Sequence, residues 1–284
     1  MSAWELKALP TPIVTYDADT YRRTPIASTA RDLIAGAKLV ELWGTMGWLD
    51  MRQRYRRSVM GPFWVTLSLA AFVLGLGITY GAIFGMPLAD YLPYLSVGIV
   101  IWTLLSGFLL EGCQTFTGSE AAIKQMPAPL CIHLYRLLWR SLIIFFHNMI
   151  IIVAVLLIFG VNPGWTGLLA IPGLLVVLLN GGALGLLLGT LSARFRDIPP
   201  LVANMVQMLF FVTPVIWQAE ALGDRRIIAE WNPLYHMIEL VRAPLLHGPA
   251  SATNWIIASL FTAASCVLAF GFYARFRWRI PYWL

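Results

Sequence analysis

Arg52, Arg54, Arg56 and Arg57 place four guanidinium groups within six residues. Such a cluster suits an anionic lipid headgroup or a cytoplasmic partner, and its plain alternative is a topological anchor. Acids able to do catalysis near a membrane face are few: Glu111, Asp197 and Glu239. The sequence has no GxSxG, no HExxH, no paired-carboxylate pattern and no GxxxxGK[ST]. Gly118 and Lys124 do not make a phosphate loop in their helical setting. No catalytic residue is therefore assigned, and if ATP drives this protein another chain binds it. Cys113, Cys131 and Cys266 have no CxxC or CxxH spacing, so no metal site or disulfide framework is expected.

The elements that must position these groups are membrane helices. Ser141–Ala193 contains no Asp, Glu, Lys or Arg. As one helix it would run roughly 80 Å, over twice a bilayer core, so it must fold back at Asn162-Pro163-Gly164. Four further charge-free windows exist at Ser58–Ala89, Tyr91–Leu110, Ile198–Ala219 and Ala243–Ala274. Charged residues make up 12% of the chain, about half the soluble norm, and mean hydropathy is +0.73. The expectation is an all-α membrane protein with six transmembrane helices at about 62–84, 92–112, 138–160, 166–192, 200–217 and 254–274. The net charge of +6 reads as topology rather than nucleic-acid binding, because cytoplasmic loops collect Lys and Arg. Cations cluster before span one, between spans two and three (Lys124, Arg136, Arg140), after span four (Arg194, Arg196) and after span six (Arg275, Arg277, Arg279). This puts both termini in the cytoplasm, and no cleavable signal peptide is expected.

Three segments lie outside the spans. Residues 1–28 read as an extended or mobile tail, 29–57 as an amphipathic interface helix, and 58–284 as the transmembrane domain. Thr29-Ala-Arg-Asp32 resembles a capping box, and Leu33, Ala37, Val40, Trp43, Gly47 and Met51 follow at helical period. Between spans two and three, Ser119 can cap a short helix that Pro127 and Pro129 stop, a handle for mechanical coupling or an ordinary connector. Between spans five and six, Asn232-Pro233 starts a helix with Leu234, Met237, Ile238, Val241 and Leu245 on one face. It reads as a re-entrant outer gate, with a surface connector as the alternative.

Gly77, Gly81 and Gly85, and Gly181, Gly185 and Gly189, repeat at four residues and predict close helix packing. No span holds a central carboxylate or lysine, which counts against ion-driven transport and against an ion channel. His147, Asn148, Asn180, Asn204 and Gln207 are expected to bond between helices. Trp64, Trp165 and Trp255 fit interfacial belts. Phe72, Tyr80, Tyr94, Trp102, Phe108, Phe210 and Phe211 lie deeper, where rings either pack helices or stack on a sliding sugar polymer.

These features together resemble a known family. The run Arg54-Tyr55-Arg56-Arg57-Ser58-Val59-Met60-Gly61-Pro62-Phe63-Trp64 looks like the helix-to-span entry of ABC type-2 permeases. Ala193-Arg194-Phe195-Arg196-Asp197-Ile198, Thr213-Pro214-Val215-Ile216-Trp217 and Asn232-Pro233-Leu234-Tyr235-His236 resemble its later motifs. Arg279-Ile280-Pro281-Tyr282-Trp283-Leu284 is similar to the ending of the O-antigen and cell-wall polysaccharide exporter branch. The resemblance covers about residues 30–284 and implies the permease subunit of an exporter in a bacterial inner membrane. It implies a second copy of the chain, two ATPase subunits that bind ATP and Mg, and a polysaccharide on undecaprenyl diphosphate as cargo. It further implies ATPase coupling through Glu41, Arg52, Ser119, Glu120, Lys124 and Gln125, and carrier-diphosphate contact at Arg54, Arg56 and Arg57. The implied external gate holds Trp231, Asn232, Pro233, Tyr235, His236, Glu239 and Arg242. Alternatives are a permease for teichoic acid, a capsular polymer or a small lipid or drug, and a membrane enzyme acting on lipid-linked sugar.

Overall fold

A computed structural model describes residues 25–54, 56, 61, 63–126 and 128–284, and these form helices and turns without a strand. Two short helices come first, α1 (Pro25–Lys38) and α2 (Val40–Arg54). The single capped helix expected from residue 29 is corrected: Thr29 lies inside α1, and the chain breaks at Leu39. Asp32 does not close a capping box because partners far along the chain claim it, as described below. The expected stripe is only half used, with Gly47 and Met51 buried but Ala37 and Val40 exposed. The tail 1–24, Arg57 and Pro127 lie outside the described residues.

The membrane helices are α3 (Phe63–Phe84), α4 (Leu88–Gly112), α6 (Ile132–Ile158), α7 (Ala170–Arg194) and α11 (Ala252–Phe276). Counting the 3₁₀ turns that extend α7 and α11, five helices among the described residues are long and apolar enough to cross a bilayer. The sixth expected span, 200–217, is instead α8 (Ile198–Val212), 15 residues and roughly 22 Å long. Its window stays apolar to Ala219, but Thr213 leaves helical geometry at ψ 135° because a residue before proline is pushed out of the α region.

Around these lie α5 (Glu120–Gln125) between α4 and α6, then α9 (Ile227–Glu230), α10 (Pro233–Leu246) and, last, α12 (Ile280–Trp283). α4 is buried along most of its length, with α3, α6, α7, α8 and α10 packed about it, whereas α3 is open along most of its own. The glycine stripe on α7 makes the close approaches expected of it; on α3 only Gly77 does, against Leu92, and Gly85 has open space around it. A Cβ on Gly181 would stand 2.1 Å from the Phe108 ring, and one on Gly112 2.9 Å from the Cα of Gly185. Gly85 turns the chain out of α3 at φ +64°, a conformation that costs a glycine little.

The connections sort into two ends. One holds α1, α2, α5, the turn after α7 and the C-terminal residues 277–284, and carries the basic clusters. The other holds residues 85–87, the turn before α7 and everything from Thr213 to Ser251.

Candidate functional site

At the basic end a charged network ties α2 to the bundle. Arg136 and Arg140, one turn apart on α6, converge on Asp50 of α2. Arg136 Nε donates to Asp50 Oδ2 at 2.6 Å and its Nη2 to Oδ1; Arg140 Nη1 donates to Oδ2 at 3.1 Å. Arg140 also forks onto Glu111 of α4 at 3.0 and 2.8 Å, and Arg54 reaches Glu111 at 3.1 Å. Asp50, Arg136 and Arg140 are each under 20% exposed, so these contacts are shielded far better than surface pairs. Sequence reading assigned Arg136 and Arg140 to topology and passed over Asp50. Their i, i+4 spacing on one helix face was the available signal that they share an acid.

A second contact fixes α1. Asp32 accepts from Tyr273 Oη at 2.8 Å and from the Cys131 thiol at 2.9 Å, and Arg277 lies 3.6 Å away. Arg277 also donates to the Ser28 carbonyl at 2.8 Å. Burial, and then the Asp32 charge, push the Cys131 thiol well above its ordinary value, so it stays a donor. Beside this body α5 projects outward. Lys124 pairs with Glu120 at 2.7 Å, and that hydrogen bond and charge hold the Glu120 carboxyl below its usual range. Lys124 and Gln125 are exposed. Ser119 does not cap the helix as expected; its side chain is buried and makes no cap bond, and a 3₁₀ turn leads in. Glu41, Arg52 and Arg56 are exposed.

At the opposite end the structure brings together the expected outer residues. Asn232 caps α10 by accepting from Leu234 N at 3.0 Å while donating to Thr213 Oγ1 at 2.8 Å. Pro233 occupies the first turn, where its missing N–H costs nothing. His236 is fixed through both ring nitrogens, to Asn254 Oδ1 at 2.7 Å and the Glu230 carbonyl at 2.8 Å. Arg242, 1% exposed, pairs with Glu239, donates to the Pro214 carbonyl at 3.0 Å and lies 3.9 Å from the Tyr94 ring centroid. Burial pulls the Arg242 guanidinium down, but Glu239 and Tyr94 outweigh it and hold it charged. Tyr235 is buried and Trp231 is exposed.

The aromatic set divides. Phe108 is spent against Gly181, and Tyr94 holds Arg242 and the Pro214 and Trp217 carbonyls. Trp102 packs on Phe210. Phe72 and Phe211 are open, and Tyr80 and Phe210 half-buried. Of the polar span residues, Asn148 meets Thr66 and Asn180 meets Ser265 between helices, as expected, while His147 bonds within its own helix. Asn204 and Gln207 are exposed on α8 without a hydrogen-bond partner among the described residues. Two of the three acids weighed for catalysis, Glu111 and Glu239, are held by arginines; Asp197 is exposed.

This is a multi-pass helical membrane protein with projecting helices at its basic end. The family model described as ABC-2 type transporter matches residues 41–246, and the chain belongs to that family of membrane permeases. Family membership implies an ATPase subunit as partner and a transport rather than an enzymatic role for this chain. It is 22% identical over 202 residues to the O-antigen export system permease protein RfbA of Klebsiella pneumoniae, covering 70% of this chain and 78% of that protein. It is 20% identical over 197 residues to the protein of the same name from Myxococcus xanthus, covering 68% and 76%.

Proposed function

We propose that this chain is the membrane subunit of an ATP-driven exporter that moves O-antigen-type polysaccharide, linked to undecaprenyl diphosphate, across a bacterial inner membrane. The observation that carries the conduit is the open face of α8. Asn204 and Gln207 stand there beside Phe211, exposed and unpartnered among the described residues. An amide left bare in hydrocarbon is costly, so this face meets a second copy or a watery passage. α3 offers a matching open stripe of Ser68, Phe72, Gly75 and Thr79. Two copies joined along these helices enclose a passage lined by hydroxyls, amides and rings, which suits a polymer that slides. Phe108 and Tyr94, spent on internal packing, are not part of its wall.

α8 and the turn after it supply the sixth crossing. The helix starts at the basic end, and its far turn lies beside the first turns of α4, where Tyr91 donates to the Ile216 carbonyl at 2.7 Å. Both termini then share the cytoplasmic side. α5, with Glu120, Lys124 and Gln125, and the exposed side of α2, with Glu41 and Arg52, meet two ATPase subunits that bind ATP and Mg. Asp50 and Glu111 carry that push from α2 into α4 and α6. Arg56 and Arg57 take the carrier diphosphate, guanidinium forks matching its oxygens. Arg54 is shared with Glu111. α10 gates the outer end.

The test is co-purification with the ATPase encoded alongside, followed by mass determination and reconstitution. A two-plus-two complex whose ATP hydrolysis drives lipid-linked glycan into vesicles is the expected result. A chain that purifies alone, or a complex that leaves the glycan outside, refutes the reading.

A further inference from the structure

On the side of the bundle away from α3 and α8, a groove of about 860 Å³ opens between α1, α6, α7 and α11. Its walls are apolar, including Leu134, Leu138, Leu178, Leu186, Cys266 and Phe270. Its cationic end holds Arg275 and Trp278. Arg279 is outside the lining itself but lies 4.7 Å from the Trp278 ring centroid, so a second guanidinium stands behind the residue that closes this end. Neither Arg275 nor Arg279 has an acidic partner among the described residues, and no acid lines the groove.

Three properties fix what fits. Along α11 the lining runs from Cys266 to Trp278, roughly 18 Å at helical rise. One leaflet of hydrocarbon is about 15 Å deep, so the groove is one acyl chain long. Its charge is positive only at one end, and that end carries the tryptophan that sits at headgroup level in membrane proteins. Its direction follows the spans, parallel to lipid chains. A soluble metabolite would find almost no polar wall; a diacyl anionic lipid finds a dry slot for its tail and two cations for its phosphate.

We propose that this groove binds one anionic glycerophospholipid of the surrounding leaflet, an acyl chain lying along α11 and the phosphate at Arg275 and Arg279. The bound lipid then cements α1, through Ile26 and Leu33, onto α6 and α11. This site stands on membrane embedding alone and not on the nature of the exported cargo.

The full chain, reconstituted in vesicles of phosphatidylglycerol and phosphatidylcholine, is released into detergent and its retained lipids are counted by native mass spectrometry. The expected result is one tightly held phosphatidylglycerol per chain and no phosphatidylcholine retained equally. Arg275→Gln lowers that retention roughly fivefold, the worth of one cation beside an anionic lipid. Gly271→Phe, at a position with open space around it, fills the groove and removes retention of either lipid while the protein still folds. Equal retention of the two lipids, or a count unchanged in Gly271→Phe, overturns the proposal and gives the groove to a second copy or to the chain's own first residues.

Discussion

Gly173 of α7 faces α10 main chain to main chain, and a methyl group there tests how firmly α10 is seated. A Cβ on Gly173 would stand 2.4 Å from the Leu240 carbonyl oxygen and 2.8 Å from its carbonyl carbon. A carbon–oxygen contact settles at about 3.3 Å, so the two helices must part by roughly 0.9 Å. The obstacle is helical backbone, and no rotamer change relieves it. Overpacking of this kind costs ~1–3 kcal/mol, against which the gain in helix propensity of alanine over glycine offsets about 0.5–1 kcal/mol. Gly182→Ala on the same helix is the control. Its Cβ meets only Leu138 methyls at 3.5 and 3.6 Å, an ordinary contact, and it keeps the propensity gain. The assay is thermal loss of the monodisperse peak of detergent-solubilised protein. Gly182→Ala should match or exceed the parent, and Gly173→Ala should fall below it by a few degrees, at about 2–4 °C per kcal/mol. Equal melting of the two variants would refute the close approach of α7 and α10.

Three further outcomes are expected. Asp50→Asn removes the acid shared by Arg136 and Arg140, a loss of about 2 kcal/mol, and should uncouple ATP hydrolysis from export while insertion into the membrane persists; Asp50→Glu should restore part of it, measured in reconstituted complexes. Asn204→Leu with Gln207→Leu should leave melting within about 0.5 kcal/mol of the parent, because neither side chain has a partner among the described residues, yet lower export at least tenfold in a vesicle assay. At pH 8 a membrane-permeant maleimide should label Cys266, which is half-buried and opens on the groove, and spare Cys131, which is fully buried and donates to Asp32; Asp32→Asn, which takes away the neighbouring anion, should raise Cys131 labelling.

The long spans were legible because charge-free windows of about 20 residues or more have few other uses, and four of the five windows gave the five helices able to cross. The glycine stripe on α7 was legible too, since four-residue spacing puts small residues on one face, whereas on α3 Gly85 serves the turn instead. α8 was overextended because hydropathy does not register that Pro214 forces Thr213 out of the helix. The capping box failed for a different reason. Asp32 has the right local spacing, but its partners Cys131, Tyr273 and Arg277 are 99 to 245 residues away, and no local window contains them. The Asp50 network was hidden in the same way, with Arg136 86 residues distant. Polar residues such as Asn204 and Asn180 looked alike in sequence; only burial separates the one that meets Ser265 from the one that faces outward.

The bond from Tyr273 to Asp32 joins positions 241 residues apart, near the two ends of the chain. A ribosome adding about 5–20 residues per second needs roughly 12–50 s to travel that distance. Throughout that interval α1 is made but its final seat is not, and Asp32 waits without Tyr273 or Arg277. Docking of α1 therefore reports that α11 has arrived. A nascent chain that ends before residue 273 leaves Asp32 with Cys131 but without Tyr273 and Arg277, and α1 less firmly seated. The same few side chains thus tie the seating of α1 to the synthesis of α11.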